Sequence, residues 1–397
     1  MERHVGTVAR GIRIPIVREG DNIKETVVSS LLQAAESDGF KIRERDVVGI
    51  TESVVARAQG NYASLDQIVK DLRTKLSDEK YGIVFPIMSR NRFATVLRAL
   101  ARSTRHLVIQ FSYPSDEVGN QLVPIEALDD AGIDHMVDDL TEERFRELFG
   151  STLHPFTKID YISYYRELVE SEGAACTILF SNRPQAILQH TSQVLACDVH
   201  SRSRTMRRLR DAGAELVLSL DNLLNHSIDG SGYHPQYGLL GSNKADENTV
   251  KLFPRDCQAV VDGIQQLLRT KTGKTVEVLI YGDGAFKDPV GQIWELADPV
   301  VCPAFTAGLE GSPSEIKLKY LADNQFVDKK GRDLQEAIVA SIRDKKSDLT
   351  GSMETQGTTP RRLTDLIGSL CDLTSGSGDK GTPVVHIQGY FDNLASL

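Results

Sequence analysis

The residues in this sequence best suited to chemistry are acids held between glycines. Asp283 lies in VEVLIYGDGAFKDP, where Val276 to Tyr281 read as a buried strand that stops on Gly282-Asp283-Gly284. Lys287 follows within the same loop. Asp116 and Glu117 come after the strand-like HLVIQF, close to Gly119 and Asn120. Asp379 sits in the Gly/Ser loop SGSGDKG. Glycine tolerates φ > 0 and lets a ligand approach the backbone. Functional groups also gather at the carboxyl ends of buried strands. Acids converging from distant loops suit a hard divalent cation, and such a cation suits phosphoryl or nucleotide chemistry. Taken singly, each such acid is more often a turn residue than a ligand. Asp283 is the first to suspect of metal or phosphate work.

Two further groups stand out. Arg90, Asn91 and Arg92 precede a helix in MSRNRFATVLRALA. Side-chain donors together with helix N–H groups make an anion site, and a solvated helix cap is the competing reading. Asp198 and His200, in CDVH, have a metal-ligand spacing but read first as a satisfied polar pair at a strand end. Gly376-x-Gly378-x-x-Gly381 matches the dinucleotide fingerprint literally. That fingerprint needs strand, glycines, then helix. Here a helix precedes and a strand follows, which leaves a Gly/Ser loop whose backbone can approach a phosphate. No Walker A, GxSxG or HExxH motif occurs.

The elements that must position these groups alternate along the chain. Strands are expected at 46–51, in YGIVFPI, at 106–111, and in CTILFSN, VLACDVH, AELVLSL and VVHIQGYF. A helix follows Asp21 as N-cap and stops at Gly39. Further helices are expected over 64–77, 254–269 and 333–345, and in RRLTDLIGSLCDL. The stretch 225–252 reads as a long loop, functional or disordered. From about 126 the chain turns acidic and helical before βαβ units that imply a small parallel sheet.

Composition excludes several classes. The 397 residues suffice for two or three domains. A net charge of -9 argues against general nucleic-acid or membrane-surface binding, although RSRTMRRLR is locally basic. There is no secretory h-region and no apolar run of membrane-spanning length. Five scattered cysteines without a CxxC read as reduced, mostly buried thiols in a cytoplasmic protein.

Four segments, in order, resemble the coenzyme F420-0:L-glutamate ligase (F420-0 γ-glutamyl ligase) family. They are GIRIPIVREGDNIKETV, DVVGITESVVARAQG, TGKTVEVLIYGDGAFKDPVGQ and RRLTDLIGSLCDLTSGSGDKGTPVVHIQG. The resemblance covers 1–125 and 253–397 and implies a discontinuous α+β ligase-like core, with 126–252 as an inserted small α/β domain. It implies GTP-dependent formation of an amide between L-glutamate and a carboxylate acceptor through an acyl phosphate, with Mg²⁺ or Mn²⁺, in a homodimer. Asp283 and Asp365 fall on metal-binding acids of the family, and Asp116 falls near a third, with Glu117 as rival. Arg57 replaces the family's lysine and Gln59 its glutamate. Lys287 or Phe286 stands where the family has arginine, and Gly284 where it has threonine. Arg57 and Lys287 are therefore the catalytic candidates. Glu52, Arg90, Asn91, Arg92, Gly378, Asp379 and Gly381 are the candidates for substrate and nucleotide. The changed residues at 284–287 motivate an alternative: a non-catalytic nucleotide- or metabolite-binding protein that keeps the ligase fold.

Overall fold

The structure is a computed structural model that describes residues 4–154, 157–283, 300–346, 348–349, 351–356, 358, 361–375 and 379–396, without the side chains of Asp283, Val300 and Val301. Lys287 and Gly378 lie outside the described residues, as do Gly284 and Phe286. Mixed helices and strands in several sheets make the fold α+β. The chain forms two compact units, one of residues 4–58, 256–283 and 300–396, the other Gln59–Arg255.

The first unit is built on a mixed five-stranded sheet. Its order is Val8–Ile12, Val384–Gln388, Val47–Thr51, Glu277–Asp283 and Val300–Phe305. Strands 47–51 and 277–283 run parallel and the other pairs antiparallel. Both faces are covered, which explains the unbroken apolar runs VVGI and VLIY. Side chains alternate across the sheet. Val48, Ile50, Val278 and Ile280 pack with helices Ile23–Ser37 and Cys257–Thr272. Val47, Leu279, Tyr281, Val385 and Ile387 pack with helix Leu363–Ser375. Gly49 lies on this second face, where a Cβ would collide with Cys371 Sγ. The first helix is capped by Asn22, whose side chain accepts from Glu25 N–H at 3.3 Å. Asp21, the expected cap, turns back to accept from Arg18 N–H at 2.6 Å.

The second unit carries a six-stranded sheet. Its five parallel strands lie in the order Ala175–Phe180, His106–Phe111, Lys80–Val84, Gln193–Ala196 and Leu216–Ser219. Leu140–Thr141 adds an antiparallel edge beside 175–180. The chain starts in the middle at 80–84, moves outward twice, then crosses back to 193–196 and moves outward the other way. That is a doubly wound sheet whose strand order reverses between 80–84 and 193–196. Helices Ala94–Arg102 and Tyr161–Ser171 cover one face, and helix Arg202–Asp211 with the 3₁₀ turn Pro184–Gln189 the other. The sheet runs across the expected boundary at 126, because strands 80–84 and 106–111 form its centre. Within the expected loop 225–252, Asn243–Lys244 and Thr249–Lys251 pair as a hairpin that joins Tyr62–Ser64 in a small third sheet. At the ends of this unit Gln59 Nε2 donates to Arg255 O at 2.6 Å, and Arg255 N–H donates back to Gln59 Oε1 at 2.9 Å.

Candidate active site

In the first unit several of the expected residues meet at one end of the sheet. Glu52 begins helix Glu52–Ala58 directly after strand 47–51 and is 5% exposed. Its side chain lies over Gly282, where any Cβ would collide with Glu52 Cγ. Strand 47–51 runs parallel to 277–283, with Thr51 opposite Tyr281. Glu52 and the backbone of Asp283 therefore stand side by side at adjacent carboxyl ends. The third neighbour arrives from the C-terminal loop, as Thr51 N–H donates to Pro383 O at 3.0 Å. Gly381, exposed and at φ +67°, lies two residues before Pro383, and its carbonyl accepts from Ile14 N–H at 3.3 Å. Asp379 lies in the exposed turn just ahead.

Helix 363–375 brings Asp365 toward the same end. Cys302 Sγ reaches Thr364 O at 3.3 Å, and the strand of Cys302 pairs Val301 with Gly282 and Val300 with Asp283. Asp365 is half-buried in the helix's first turn. Cys257 starts the helix opposite, where burial first and the charge of Glu52 second push its thiol up to about 12. None of the five cysteines forms a disulfide. Arg57 is exposed, with no ion pair or side-chain hydrogen bond among the described residues. Five residues on, it is turned about 140° from Glu52 around the helix. The other end of this sheet holds a polar cluster that the sequence did not signal. Asp46 accepts from His386 Nε2 at 2.8 Å, from Gln388 Nε2 at 3.1 Å and from Arg43 N–H at 2.8 Å.

Asp116 belongs to the second unit and is fully engaged there. Its carboxylate accepts from Met88, Val118 and Asn120 N–H and from Asn120 Nδ2, at 2.7–3.1 Å. Burial raises its pKa against these four bonds. Its role is to tie the loop after 106–111 to the loop after 80–84. Glu117 accepts from Val199 and His200 N–H at the end of strand 193–196. Burial, with nearby Asp198 and Asp116, lifts it to about 8, while the two N–H bonds pull the other way. Asp198 Oδ2 accepts from Ser201 Oγ at 2.9 Å and Thr205 Oγ1 at 2.7 Å, while its Oδ1 is buried without a hydrogen-bond partner among the described residues, so the carboxylate is only half satisfied. The loops where the strand order reverses are thus bridged by the chain's own carboxylates.

Arg90, Asn91 and Arg92 do not act together. Arg90 lines an open cleft with Arg98, Arg102 and Lys244, whereas Arg92 lines a small apolar cavity with Cys197 and Ser242. Asn91 O accepts from Lys244 N–H at 2.6 Å, which ties the hairpin to this loop. The N–H groups expected for an anion are taken by Ser89: Phe93 and Ala94 donate to its carbonyl and Arg92 to its Oγ. Among the described residues no three His, Cys, Asp or Glu side chains come together as metal ligands. No helix among them is long and apolar enough to cross a membrane.

The mixed sheets and helices define an α+β protein whose first unit gathers a candidate site at one sheet end. The F420-0:Gamma-glutamyl ligase family model matches residues 11–389, across both units, and the chain belongs to that family. It is a family of ligases, enzymes that form C–N bonds. A search of curated proteins finds no match.

Proposed function

We propose that the chain is a nucleotide-dependent amino-acid ligase that joins L-glutamate to a carboxylate acceptor. The observation that carries this reading is the meeting of Glu52, Asp283, Gly381 and the start of helix 363–375 at one sheet end, since these come from three of the four segments that resemble the family. In the proposed reaction an acceptor carboxylate oxygen attacks the γ-phosphorus of GTP, and GDP leaves. The amine nitrogen of glutamate then attacks the acyl carbon, the C–N bond forms, the C–O bond to phosphate breaks and inorganic phosphate departs. Glu52, buried and acidic, suits the glutamate ammonium and then the proton that the amine sheds. The exposed backbone at Gly381, beside Asp379, suits close approach of a phosphate.

The family implies a divalent cation that offsets phosphate charge. The described side chains alone do not form its site, and Asp116 has no lone pair to spare. The expectation therefore rests on Asp283 and Asp365, and no step above is routed through a metal. A homodimer and a cytoplasmic location remain part of the same proposal.

The test is release of GDP and phosphate with L-glutamate and a panel of carboxylates, in Mg²⁺ or Mn²⁺. Glu52→Gln is expected to lower turnover about 100-fold with an unchanged circular dichroism spectrum, the size typical of a lost proton-transfer group. Parent-like turnover by that variant removes Glu52 from the site. GTP binding without turnover for any acceptor favours the non-catalytic alternative instead.

A further inference from the structure

The second unit holds a cleft of about 620 Å³ that takes no part in the proposed site at the sheet end of the first unit, although Arg90 on its wall was a candidate from the sequence. That volume is ordinary for a small-molecule site. Four cations line it: Arg98 and Arg102 from helix 94–102, Arg90 ahead of that helix, and Lys244 from the hairpin. Glu172, at the end of helix 161–171, lies between Arg98 and Arg102 and accepts the Nε–H of both. It is held below the usual carboxylate range by these two guanidiniums, against its own burial. Arg98 Nη1 also donates to Glu247 O at 2.5 Å and Arg102 Nη1 pairs with exposed Asp66 at 3.5 Å, so both guanidinium planes are fixed and each keeps part of its N–H donors for a ligand. Arg90 is exposed, and no ion pair to it occurs among the described residues. Among the described residues Lys244 forms an ion pair with Glu247 alone, a largely exposed partner, and such a pair is readily exchanged. Tyr164 reports the convergence: burial raises its phenol, and the charges of Lys244 and Arg90 oppose that rise.

We propose that this cleft is a binding site for a small multivalent anion, whose closely spaced oxygens bridge Arg90 and Lys244 beside the remaining N–H donors of Arg98 and Arg102. Glu172 is the positioning residue: it orients two arginines and leaves the cleft with a surplus of positive charge. Fixed guanidinium forks favour paired anionic oxygens over a single charge. A phosphoanhydride chain and a tricarboxylate share that chemistry. The proposal stands apart from the ligase reading, because it concerns binding and not turnover.

The experiment is calorimetric titration of the full chain with inorganic tripolyphosphate and, separately, with citrate. At least one of the two is expected to bind, with affinity that falls as salt rises. Arg90→Ala/Lys244→Ala, both solvent-facing changes, is expected to weaken that binding at least about tenfold with an unchanged melting temperature. The preferred anion identifies the source class. Absence of binding by both anions, or equal binding by the variant, overturns the proposal. Glu172→Gln supplies a second readout, since loss of its charge should loosen the guanidinium planes and reduce discrimination between the anions and inorganic phosphate. Unchanged discrimination removes Glu172 from the positioning role.

Discussion

At the scale of single residues, the acids separate by what already occupies their oxygens. Asp116 was the expected ligand with Glu117 as its rival, and both turn out to bond backbone N–H groups of neighbouring loops. Glu117 has a stability consequence. Its carboxyl titrates near 8 in the fold, against an ordinary 4.5. A raised acid contributes stability that is fully present below the ordinary value and is lost as pH rises through the folded one. Thermal melts at about pH 5 and about pH 8.5 should therefore show a drop for the parent and a flatter profile for Glu117→Gln, by roughly 2–4 °C for each kcal/mol removed. Identical slopes would show that Glu117 is not the titrating group. The sequence exposed Glu52 and Asp283 because each sits at the carboxyl end of a strand. It hid the split between Arg90 and Arg92, because neighbours on a loop can point to different cavities without any change of composition.

Elements were the most legible level, since their signals are local. The strand at 106–111 matches its expected bounds, and the helices 257–272 and 363–375 fall within a few residues of theirs. Strand partners were not legible, because Val84 pairs with Ala196 across more than a hundred residues. Helix-to-sheet spacing was equally silent, although it leaves a trace in glycine. At Gly49 the missing side chain admits Cys371 and lets helix 363–375 approach strand 47–51. Gly49→Ala should cost about 1–3 kcal/mol in chemical denaturation, as overpacking does. Gly49→Ala/Cys371→Ala should recover part of the loss, since the thiol is what the methyl strikes. A double variant no more stable than Gly49→Ala would place the strain elsewhere.

For the whole molecule, the described residues argue for a second unit of Gln59–Arg255 with its own doubly wound sheet and cores on both faces. Its size is that of an ordinary domain. Expressed alone, Gln59–Arg255 should melt cooperatively and give a dispersed amide NMR spectrum; a spectrum collapsed to random-coil shifts would show that it needs the rest of the chain. The resemblance to the ligase family suggested a boundary at 126, which the sheet does not respect, because strands 80–84 and 106–111 pair with strands beyond it and strand pairing leaves no local signal. The reciprocal bonds between Gln59 and Arg255 also bear on the order of assembly. Before the second unit folds, the first must close a very long loop between Ala58 and Asp256, at an entropic cost that rises with the logarithm of its length. Once Gln59 and Arg255 are clasped, that loop shrinks to a single tight connection. Folding of the middle of the chain therefore accelerates the joining of its two ends, and a ribosome that emits Gln59–Arg255 before the strand at 277–283 delivers the pieces in the productive order.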